Sequence, residues 1–492
     1  MSHQFDALLS ASAPAPPPGR DGLDVSTAEL DRMLDHARQL VCDFHDGIDG
    51  SPAQHGGPDA GLLARLSAAP AEEPGDVRRL MALAALAAKT SVETSSPRFL
   101  GYVPSGGLAT SAVASLLTAG FNRYSGLPDH SPALVALEHG VMRWLCQEFG
   151  LPATAVATTH TGTSMATLTA IAAARHTRLG EDATGATVYT TRHTHPVALR
   201  ALRIAGLPQS CLRIAPTTGD LRMDPRATAR MIEDDRRSGY RPFLLMANAG
   251  TTTTGTIDPL DRLADLARRE ALWLHVDAAY GGAFQLTERG RERLAGIGAA
   301  DSITLDPHKG FFLPNGLGVL LVRDAAVLRD TFALRHRHCL ADQCDSGVLP
   351  SYSDLGPELT REYRGLRLWL PLHVHGVGAF RRALDRMLDL AVFAQERLTA
   401  APALETMGAP PLTVVPFRLR RGGDPANRAL VAEINSTRSV FVSGAEIDGR
   451  YTGRICLLNQ RLTTGHLEEA LHAITGAAEG ADRSAHRQPA AG

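Results

Sequence analysis

The sequence contains almost no lysine. Only Lys89 and Lys309 are lysines among its 50 basic residues, and arginine supplies the rest. Arginine keeps its charge at any working pH, whereas a lysine amine can lose its proton and attack a carbonyl group. Lys89 lies in an Ala- and Leu-rich helical stretch, where a solvated helix face accounts for it. Lys309 lies in a turn after an apolar run and is therefore a candidate for covalent chemistry.

Cysteine, net charge and long apolar runs are scarce as well. Six cysteines in 492 residues, with no Cys-x-x-Cys pair, argue against a disulfide framework and favour a reducing setting. The formal net charge of -2 creates no field that would attract nucleic acid or an anionic membrane. No apolar run reaches the roughly 18 residues of a membrane span, and the N-terminus lacks the pattern of a secretory signal. We expect a cytoplasmic protein with neither nucleic acid nor membrane as a partner.

Short apolar runs alternate with amphipathic stretches from about residue 158 onward. This pattern predicts an α/β protein with a large, mostly parallel sheet domain, followed by a smaller C-terminal α/β domain. The predicted strands are Ala183–Thr190, Phe243–Ala247, Trp273–Val276, Ser302–Leu305, Gly318–Val322, Leu412–Arg418 and Ser439–Ser443. The predicted helices are Ala28–Phe44, Asp76–Lys89, Ser111–Phe121, Leu134–Phe149, Met165–Arg175, Asp224–Arg237, Leu260–Glu270 and a long one over Arg364–Arg386.

Composition divides the chain into five parts. Residues 1–24 are rich in Pro, Ala and Ser and predict a flexible lead-in. A helical segment at 25–96 precedes a large domain at 97–394 and a small domain at 395–478. The polar residues 479–492 predict a frayed tail.

Two strand ends carry an acid and the second lysine. In the segment WLHVDAAYGG (273–282), Asp277 directly follows the predicted strand Trp273–Val276, and ligands of α/β proteins bind at the carboxyl edge of the sheet. An aspartate that only caps the next turn is the alternative. Lys309 follows another strand, in the turn Asp306–Gly310 (DPHKG). Surface charge is the ordinary explanation of a lysine there, but it is a poor one in a chain with two lysines.

Three further segments add polar groups next to predicted strands. Thr159–Ser164 precedes a helix, whose free N–H groups and dipole can bind an anion, although an ordinary helix cap uses the same residues. Thr191–Pro196 contains His193 and His195, and a lone histidine is most often packed or solvated. Asn248–Pro259 is a Gly- and Thr-rich loop that could be only a turn. Together the segments offer an amine, an acid and an anion site, which are the groups that pyridoxal phosphate (PLP) requires.

The motifs HVDAAYGG (275–282) and DPHKG (306–310) resemble those of the group II PLP-dependent amino-acid decarboxylases, which include the aromatic-L-amino-acid, histidine and glutamate decarboxylases. The resemblance extends from about Pro97 to Leu471. Supporting matches are Pro97–Tyr102, Ser131–Glu138, Trp144 and Gly453–Asn459. The resemblance implies a PLP-dependent transferase fold of type I (aspartate-aminotransferase-like) and a homodimer with its active sites at the subunit interface. The N-terminal helices before Pro97 would pack across that dimer.

The resemblance also implies roles for individual residues. Lys309 would form the Schiff base with PLP, Asp277 would pair with the pyridine nitrogen, and His195, rather than His193, would stack on the ring. The other implied cofactor contacts are Thr163, Ser164, Thr252, Ala279 and His308, and the implied substrate contacts are Tyr102, Ser105 and His130. The implied reaction is decarboxylation of an L-amino acid to its amine through a Schiff base and a quinonoid.

The sequence departs from the family at the expected proton donor. The resemblance implies a loop tyrosine followed by leucine, and Cys339, which lies 30 residues after Lys309 and precedes Leu340, stands there. Cys339 or a neighbouring histidine, His336 or His338, could deliver the proton, or Tyr352 could fold in from further along. In this family, loss of the tyrosine is associated with aldehyde-forming enzymes. Decarboxylation with oxidative deamination is therefore the alternative reaction.

Histidine and cysteine residues cluster in the segment that carries Cys339. His336, His338, Cys339 and Cys344 have no recognised ligand spacing, so we expect no metal site there. His130 precedes a Ser-Pro pair where aromatic-selective relatives often carry a large aromatic side chain, and it argues against an indole or phenol substrate.

Overall fold

The computed structural model describes residues 23–333 and 349–487. Two sheets organise them, one of seven strands and one of four. The α-helices are α1 Thr27–Gly47, α2 Ala60–Leu66, α3 Val77–Lys89, α4 Ala109–Phe121, α5 Pro132–Glu148, α6 Thr163–Leu179, α7 Val197–Ile204, α8 Pro225–Arg237, α9 Leu260–Arg269, α10 Glu288–Arg293, α11 Pro307–Gly310, α12 Ala325–Phe332, α13 Gly365–His375, α14 Val377–Ala400, α15 Gly423–Ser436 and α16 Thr464–Arg487. The strands are β1 Val156–His160, β2 Ala186–Thr190, β3 Leu212–Ile214, β4 Arg241–Asn248, β5 Trp273–Asp277, β6 Ser302–Leu305, β7 Gly318–Val322, β8 Leu404–Thr406, β9 Val414–Leu419, β10 Ser443–Ile447 and β11 Arg450–Cys456.

The large sheet has the strand order β1-β7-β6-β5-β4-β2-β3. Strands β3, β2, β4, β5 and β6 pair in parallel, and β7 is antiparallel to both β6 and β1. This arrangement confirms the predicted mostly parallel sheet. Because β7 alone in this sheet is reversed, the loops that follow β1, β2, β4, β5 and β6 share one edge, where ligands of such sheets bind.

Both faces of the large sheet are buried, since successive side chains of a strand point to opposite faces. In β4, Leu245 and Ala247 belong to the core cluster on one face, and Leu244 and Met246 belong to the cluster on the other. Helix α9 contributes to the first cluster and α6 to the second. The sheet is thus fixed between two helical layers.

The small sheet has the strand order β10-β11-β9-β8, with every pair antiparallel. Its core joins Phe417 and Ile455 of the sheet with Leu430 of α15 and Ile474 of α16. Helix α14 packs its first half in the large core and its second half in the small one. The division predicted between residues 394 and 395 therefore falls inside a helix that belongs to both.

Three parts of the chain differ from the sequence prediction. The helix predicted over Arg364–Arg386 is split, because Gly376 adopts a φ of 70° between α13 and α14. The strand predicted at Ser439–Ser443 begins at Ser443, since the segment before it leaves the sheet and contacts the 98–100 segment instead. The tail predicted from residue 479 continues α16, because Ala478 and Ala481 still pack on the small core.

In the described part of the chain, no helix combines the length and the apolar character that crossing a membrane requires.

Candidate active site

A cavity of about 330 Å³ opens at the carboxyl edge of the large sheet. The loops after β1, β2, β4, β5 and β6 form its wall, as the strand directions require. The wall contains every cofactor contact implied by the sequence, namely Thr163, Ser164, His195, Thr252, Asp277, Ala279, His308 and Lys309. It also contains Asn248 and Asp306, to which the sequence assigned no role.

Lys309 reaches this cavity from α11, the single helical turn that directly follows β6. Its Nζ lies 2.9 Å from Oδ2 of Asp306, three residues earlier. The Asp306 side chain is 4% exposed, and its Oδ1 accepts a hydrogen bond from the N–H of Thr163 (2.9 Å). Burial opposes the charge of Asp306, but the nearby Lys309 and His308 hold the pKa of that carboxyl below its ordinary value. An ion pair therefore fixes the lysine amine inside the cavity.

Asp277 ends β5 on the same wall. Its Oδ1 accepts a hydrogen bond from the N–H of Ala279 (3.0 Å), which stabilises the turn after the strand. Its backbone pairs in register with Asn248 of β4, so the neighbouring strand fixes its position. Behind the turn, a Cβ on Gly281 would lie 2.1 Å from the carbonyl oxygen of Ala249. The glycine is thus required for the close packing that orients the acid.

Helix α6 begins at the cavity with Thr163 and Ser164. Gly318 of β7 passes directly beneath this start, where a Cβ would lie 2.4 Å from the carbonyl carbon of Gly162. The Thr163 hydroxyl is buried and has no hydrogen-bond partner within the described residues. An unpaired hydroxyl at the positive dipole end of a helix suits a phosphate group. The donor set present here fits PLP.

His195 lies beside this cavity with a defined tautomer. Its Nδ1 accepts a hydrogen bond from the N–H of Val197 (3.2 Å), which leaves the ring proton on Nε2. Loss of hydration lowers the pKa of His195, and the Asp277 carboxylate opposes this effect. A neutral, planar ring is suited to stacking on a cofactor. His193 instead faces the small domain, with its Nε2 3.7 Å from Oδ1 of Asp448.

A buried polar network supports the Thr-rich loop that carries Thr252. Asp258 is 3% exposed, and its Oδ2 accepts hydrogen bonds from the backbone N–H (2.7 Å) and side-chain amide (2.9 Å) of Asn248. The same amide donates to Oγ1 of Thr194, next to His195 (3.1 Å). Asn248 therefore ties the loop of Thr252 to the loop of His195. A polar residue at the last position of a buried strand is the sequence signal that identifies it.

The implied substrate residues lie outside the cavity wall of a single chain. Tyr102 is 63% exposed. Ser105 is buried, and its hydroxyl donates to the carbonyl oxygen of Leu313 (2.7 Å). His130 is exposed and packs edge-on against Tyr124. The geometry of one chain brings the cofactor residues together and leaves these three apart from them.

Tyr352, one of the candidate proton donors, lies in the protein core. Tyr352 is 2% exposed, its ring lies 4.5 Å from the Arg361 guanidinium carbon, and it is not part of the cavity wall. The structure thus places Tyr352 in the core, away from the cavity of its own chain. Cys339 and His338 lie outside the described residues, as do His336 and Cys344.

Residues 61–420 match the family described as the pyridoxal-dependent decarboxylase conserved domain. An aromatic-L-amino-acid decarboxylase of Bacillus atrophaeus is 31% identical over 467 residues, which cover 93% of this chain and 97% of that protein. The crystal structure of Oryza sativa TDC with PLP and tryptamine has a TM-score of 0.87 at 25% identity, over 93% of this chain and 99% of that one. A Rhodiola rosea 4-hydroxyphenylacetaldehyde synthase, at 22% identity over 93% of this chain and 99% of that one, shares the fold with a TM-score of 0.83.

These similarities confirm the expected fold class and the cofactor. They agree with the cavity, in which a lysine amine, a strand-end acid and a helix start meet. The chain belongs to the pyridoxal-dependent decarboxylase family.

Proposed function

We propose that this chain is a PLP-dependent carboxy-lyase that converts an L-amino acid into its amine, with the chemistry at Lys309. The observation that carries the proposal is the Lys309 amine, 2.9 Å from Asp306, in a cavity whose wall also contains Asp277 and His195. When bound, PLP supplies an aldehyde that holds amino groups and an electron-poor ring that takes up the electron pair left by carbon dioxide.

Each residue of the wall has its own task in this proposal. Lys309 would hold the cofactor aldehyde covalently through Nζ. Asp277 keeps a proton on the ring nitrogen with its carboxylate, and His195 offers a neutral planar surface to the ring. Thr163 and Ser164 bind the phosphate at the start of α6.

Aromatic L-amino acids come first among the candidate substrates. The relatives from Bacillus atrophaeus and Oryza sativa carry the names aromatic-L-amino-acid decarboxylase and tryptophan decarboxylase 1. His130 argues against a large aromatic substrate, so aliphatic and polar amino acids belong in the same test panel.

A homodimer is also part of the proposal. Helix α4 exposes the apolar side chains of Val113, Leu116 and Phe121, and a groove of about 860 Å³ between α5 and α13 is lined by Trp144 and Trp369. Exposed apolar surface of this kind marks an interaction site. A second copy would cover these faces and complete the substrate side of the cavity.

A helical segment at 25–96, a large domain from residue 97, a small domain that joins it inside α14 and extends through α16, and a cytoplasmic location complete the proposal. The location is supported by four cysteines that carry free thiols, namely Cys42, Cys146, Cys211 and Cys456. Free thiols are typical of a reducing compartment.

Product analysis tests the reaction. The purified protein is incubated with PLP and a panel of L-amino acids, with and without oxygen, and the products are identified by mass spectrometry. We expect equal amounts of amine and carbon dioxide, formed also without oxygen. Hydrogen peroxide and ammonia formed only with oxygen would indicate the aldehyde-forming alternative, and a keto acid without carbon dioxide would contradict decarboxylation.

Lys309→Arg tests the assignment of the reacting amine. The variant should lose the cofactor absorbance band and the turnover, because arginine cannot condense with an aldehyde. Its circular dichroism spectrum should stay that of the unmodified protein. Turnover by this variant would contradict the assignment.

A further inference from the structure

Tyr102 is an exposed aromatic residue in a strained backbone conformation. Its φ is 49°, in the left-handed region that residues other than glycine rarely adopt, and it is 63% exposed. Packing of the side chain into a core therefore does not explain the conformation. Such conformations persist where surrounding contacts hold them, and they cluster at functional sites.

Two residues of the small sheet hold Tyr102 by its peptide groups. The N–H of Tyr102 donates to Oγ of Ser443 (3.0 Å), and its carbonyl oxygen accepts a hydrogen bond from Nη2 of Arg454 (2.6 Å). Nη1 of Arg454 also donates to Oγ of Ser443 (2.8 Å), and the two residues pair in register on β10 and β11. We call Ser443 and Arg454 the Tyr102 clamp.

The surroundings of Arg454 point to the same contact. Arg454 is 3% exposed, and burial lowers the pKa of its guanidinium group. The described titratable groups that act on it are Cys456, Tyr280 and Tyr102, and none of these is a carboxylate. Burying a cation without a carboxylate costs free energy, which its hydrogen bonds must offset. The shortest of these hydrogen bonds is the one that Arg454 donates to the carbonyl oxygen of Tyr102.

The small domain also contacts the aromatic ring of Tyr102. Its ring centroid lies 5.9 Å from that of Phe441, which in turn stacks on Phe99 at 5.1 Å. A Cβ on Gly101 would lie 2.4 Å from the Phe441 ring, so the chain passes directly over it. The small domain thus contacts both the backbone and the ring of Tyr102.

The segment after Tyr102 connects the clamp to the reacting lysine. Ser105 donates to the carbonyl oxygen of Leu313 (2.7 Å), and the N–H of Leu108 donates to the carbonyl oxygen of Phe312 (2.8 Å). The N–H of Phe312 donates to the carbonyl oxygen of Lys309 (3.0 Å). The segment 102–108 thus lies between the small sheet and the turn of Lys309.

We propose that Arg454 and Ser443 are positioning residues that present the Tyr102 ring to the side chain of the amino-acid substrate. The inference rests on the proposed function, since it takes Lys309 as the reacting amine, and on the substrate contact that the sequence resemblance implies for Tyr102. A fixed aromatic ring gives an apolar face to a substrate side chain. Loosening it weakens substrate binding, while the cofactor residues keep their positions.

A double-mutant cycle of Arg454→Lys and Tyr102→Ala tests the clamp in the loaded enzyme. Lysine has one nitrogen at its end, so it cannot reproduce the two bonds that Arg454 donates from Nη1 and Nη2. Each single variant should raise KM for the preferred substrate about tenfold, with kcat within about twofold and the cofactor absorbance band unchanged. The double variant should match Tyr102→Ala, because without the ring the clamp has nothing to present. If the KM of the double variant rose by the product of the two single increases, the inference would be overturned.

Two further variants separate positioning from general damage. Ser443→Thr keeps the hydroxyl group and should keep the KM, whereas Ser443→Ala should raise it. Arg418→Lys is the matched control, since Arg418 is 7% exposed in the same sheet and donates to the carbonyl oxygen of Tyr451 (3.2 Å). The KM of the control should stay that of the unmodified enzyme. An equal rise in KM for the control would overturn the inference.

Hydrogen exchange gives a readout that does not depend on turnover. Arg454→Lys should speed amide exchange in peptides covering residues 101–108, and Arg418→Lys should not. Unchanged exchange in Arg454→Lys would overturn the clamp. If the unmodified protein showed neither a cofactor band nor turnover, the proposed function would fail, and the exchange result would still decide whether the clamp holds Tyr102.

Discussion

Asp306 contacts Lys309 and the start of α6 with different oxygens of one carboxylate. Its Oδ2 lies 2.9 Å from Nζ of Lys309, and its Oδ1 accepts the N–H of Thr163 at the same distance. The turn that carries the amine and the start of α6 are thus joined through a single side chain. Because the carboxylate is 4% exposed, both bonds are shielded from water and strengthened.

Asp306→Asn should destabilise the cofactor-free protein. The amide has one oxygen, so it can satisfy either Lys309 or Thr163 and presents hydrogen-bond donors to the other. We expect the free energy of unfolding to fall by about 1.5–3 kcal/mol, the range for hydrogen bonds to charged groups. Urea denaturation measures it. In a cycle with Lys309→Met, the double variant should lose less stability than the sum of the single variants, and additivity would contradict a direct Asp306–Lys309 interaction.

Cys339→Tyr tests the sequence alignment in the segment between residues 333 and 349. If Cys339 stands at the position of the family's proton donor, tyrosine there should raise the amine yield at the expense of any aldehyde, because the carbanionic carbon is protonated before it meets oxygen. The measurement is the ratio of amine to aldehyde and peroxide by mass spectrometry and a peroxide assay. A ratio unchanged from the unmodified enzyme would place the proton donor elsewhere.

The cofactor side of the site was predictable because it depends on local sequence at strand ends. Asp277 and Lys309 directly follow short apolar runs, and parallel strands bring their carboxyl ends to one edge whatever the loops do. These two residues can be identified from the local sequence around them together with the scarcity of lysine in the whole chain.

The supporting residues could not be predicted in the same way. Asp306 stands in the motif DPHKG, but its double contact depends on the distance between β6 and the start of α6, which no local pattern encodes. Arg454 and Ser443 lie more than 300 residues from Tyr102, and their roles require the packing of two domains. The break at Gly376 was missed because helical periodicity continues on both sides of it.

Glu138 and Arg361 form an ion pair within the large domain, with side chains 0% and 3% exposed. The Thr159 hydroxyl donates to the same carboxylate (2.9 Å). Arg361→Met should lower the free energy of unfolding by about 3–5 kcal/mol, because it leaves a buried carboxylate without its partner. The double variant Glu138→Gln, Arg361→Met should recover part of that loss in urea denaturation. An unfolding midpoint for Arg361→Met equal to that of the unmodified protein would contradict the pair.

Because His275 is buried, we predict that the protein loses stability in mild acid. His275 is fully buried in β5, its Nδ1 lies 2.8 Å from Oγ of Ser302, and burial lowers the pKa of His275 to about 4. The unfolded chain binds this proton at the ordinary histidine pKa of about 6.5, so stability is full above that pH and falls as the pH drops toward 4. Between pH 7 and 5, His275→Asn should lose about 2 kcal/mol less than the unmodified protein.

Urea denaturation of the cofactor-free protein at the two pH values measures this difference. His176→Asn is the matched control, because His176 is exposed on α6 and should leave the pH dependence unchanged. A pH dependence in His275→Asn equal to that of the control would mean that His275 takes up its proton without unfolding, and it would contradict a neutral, buried imidazole beside Asp277.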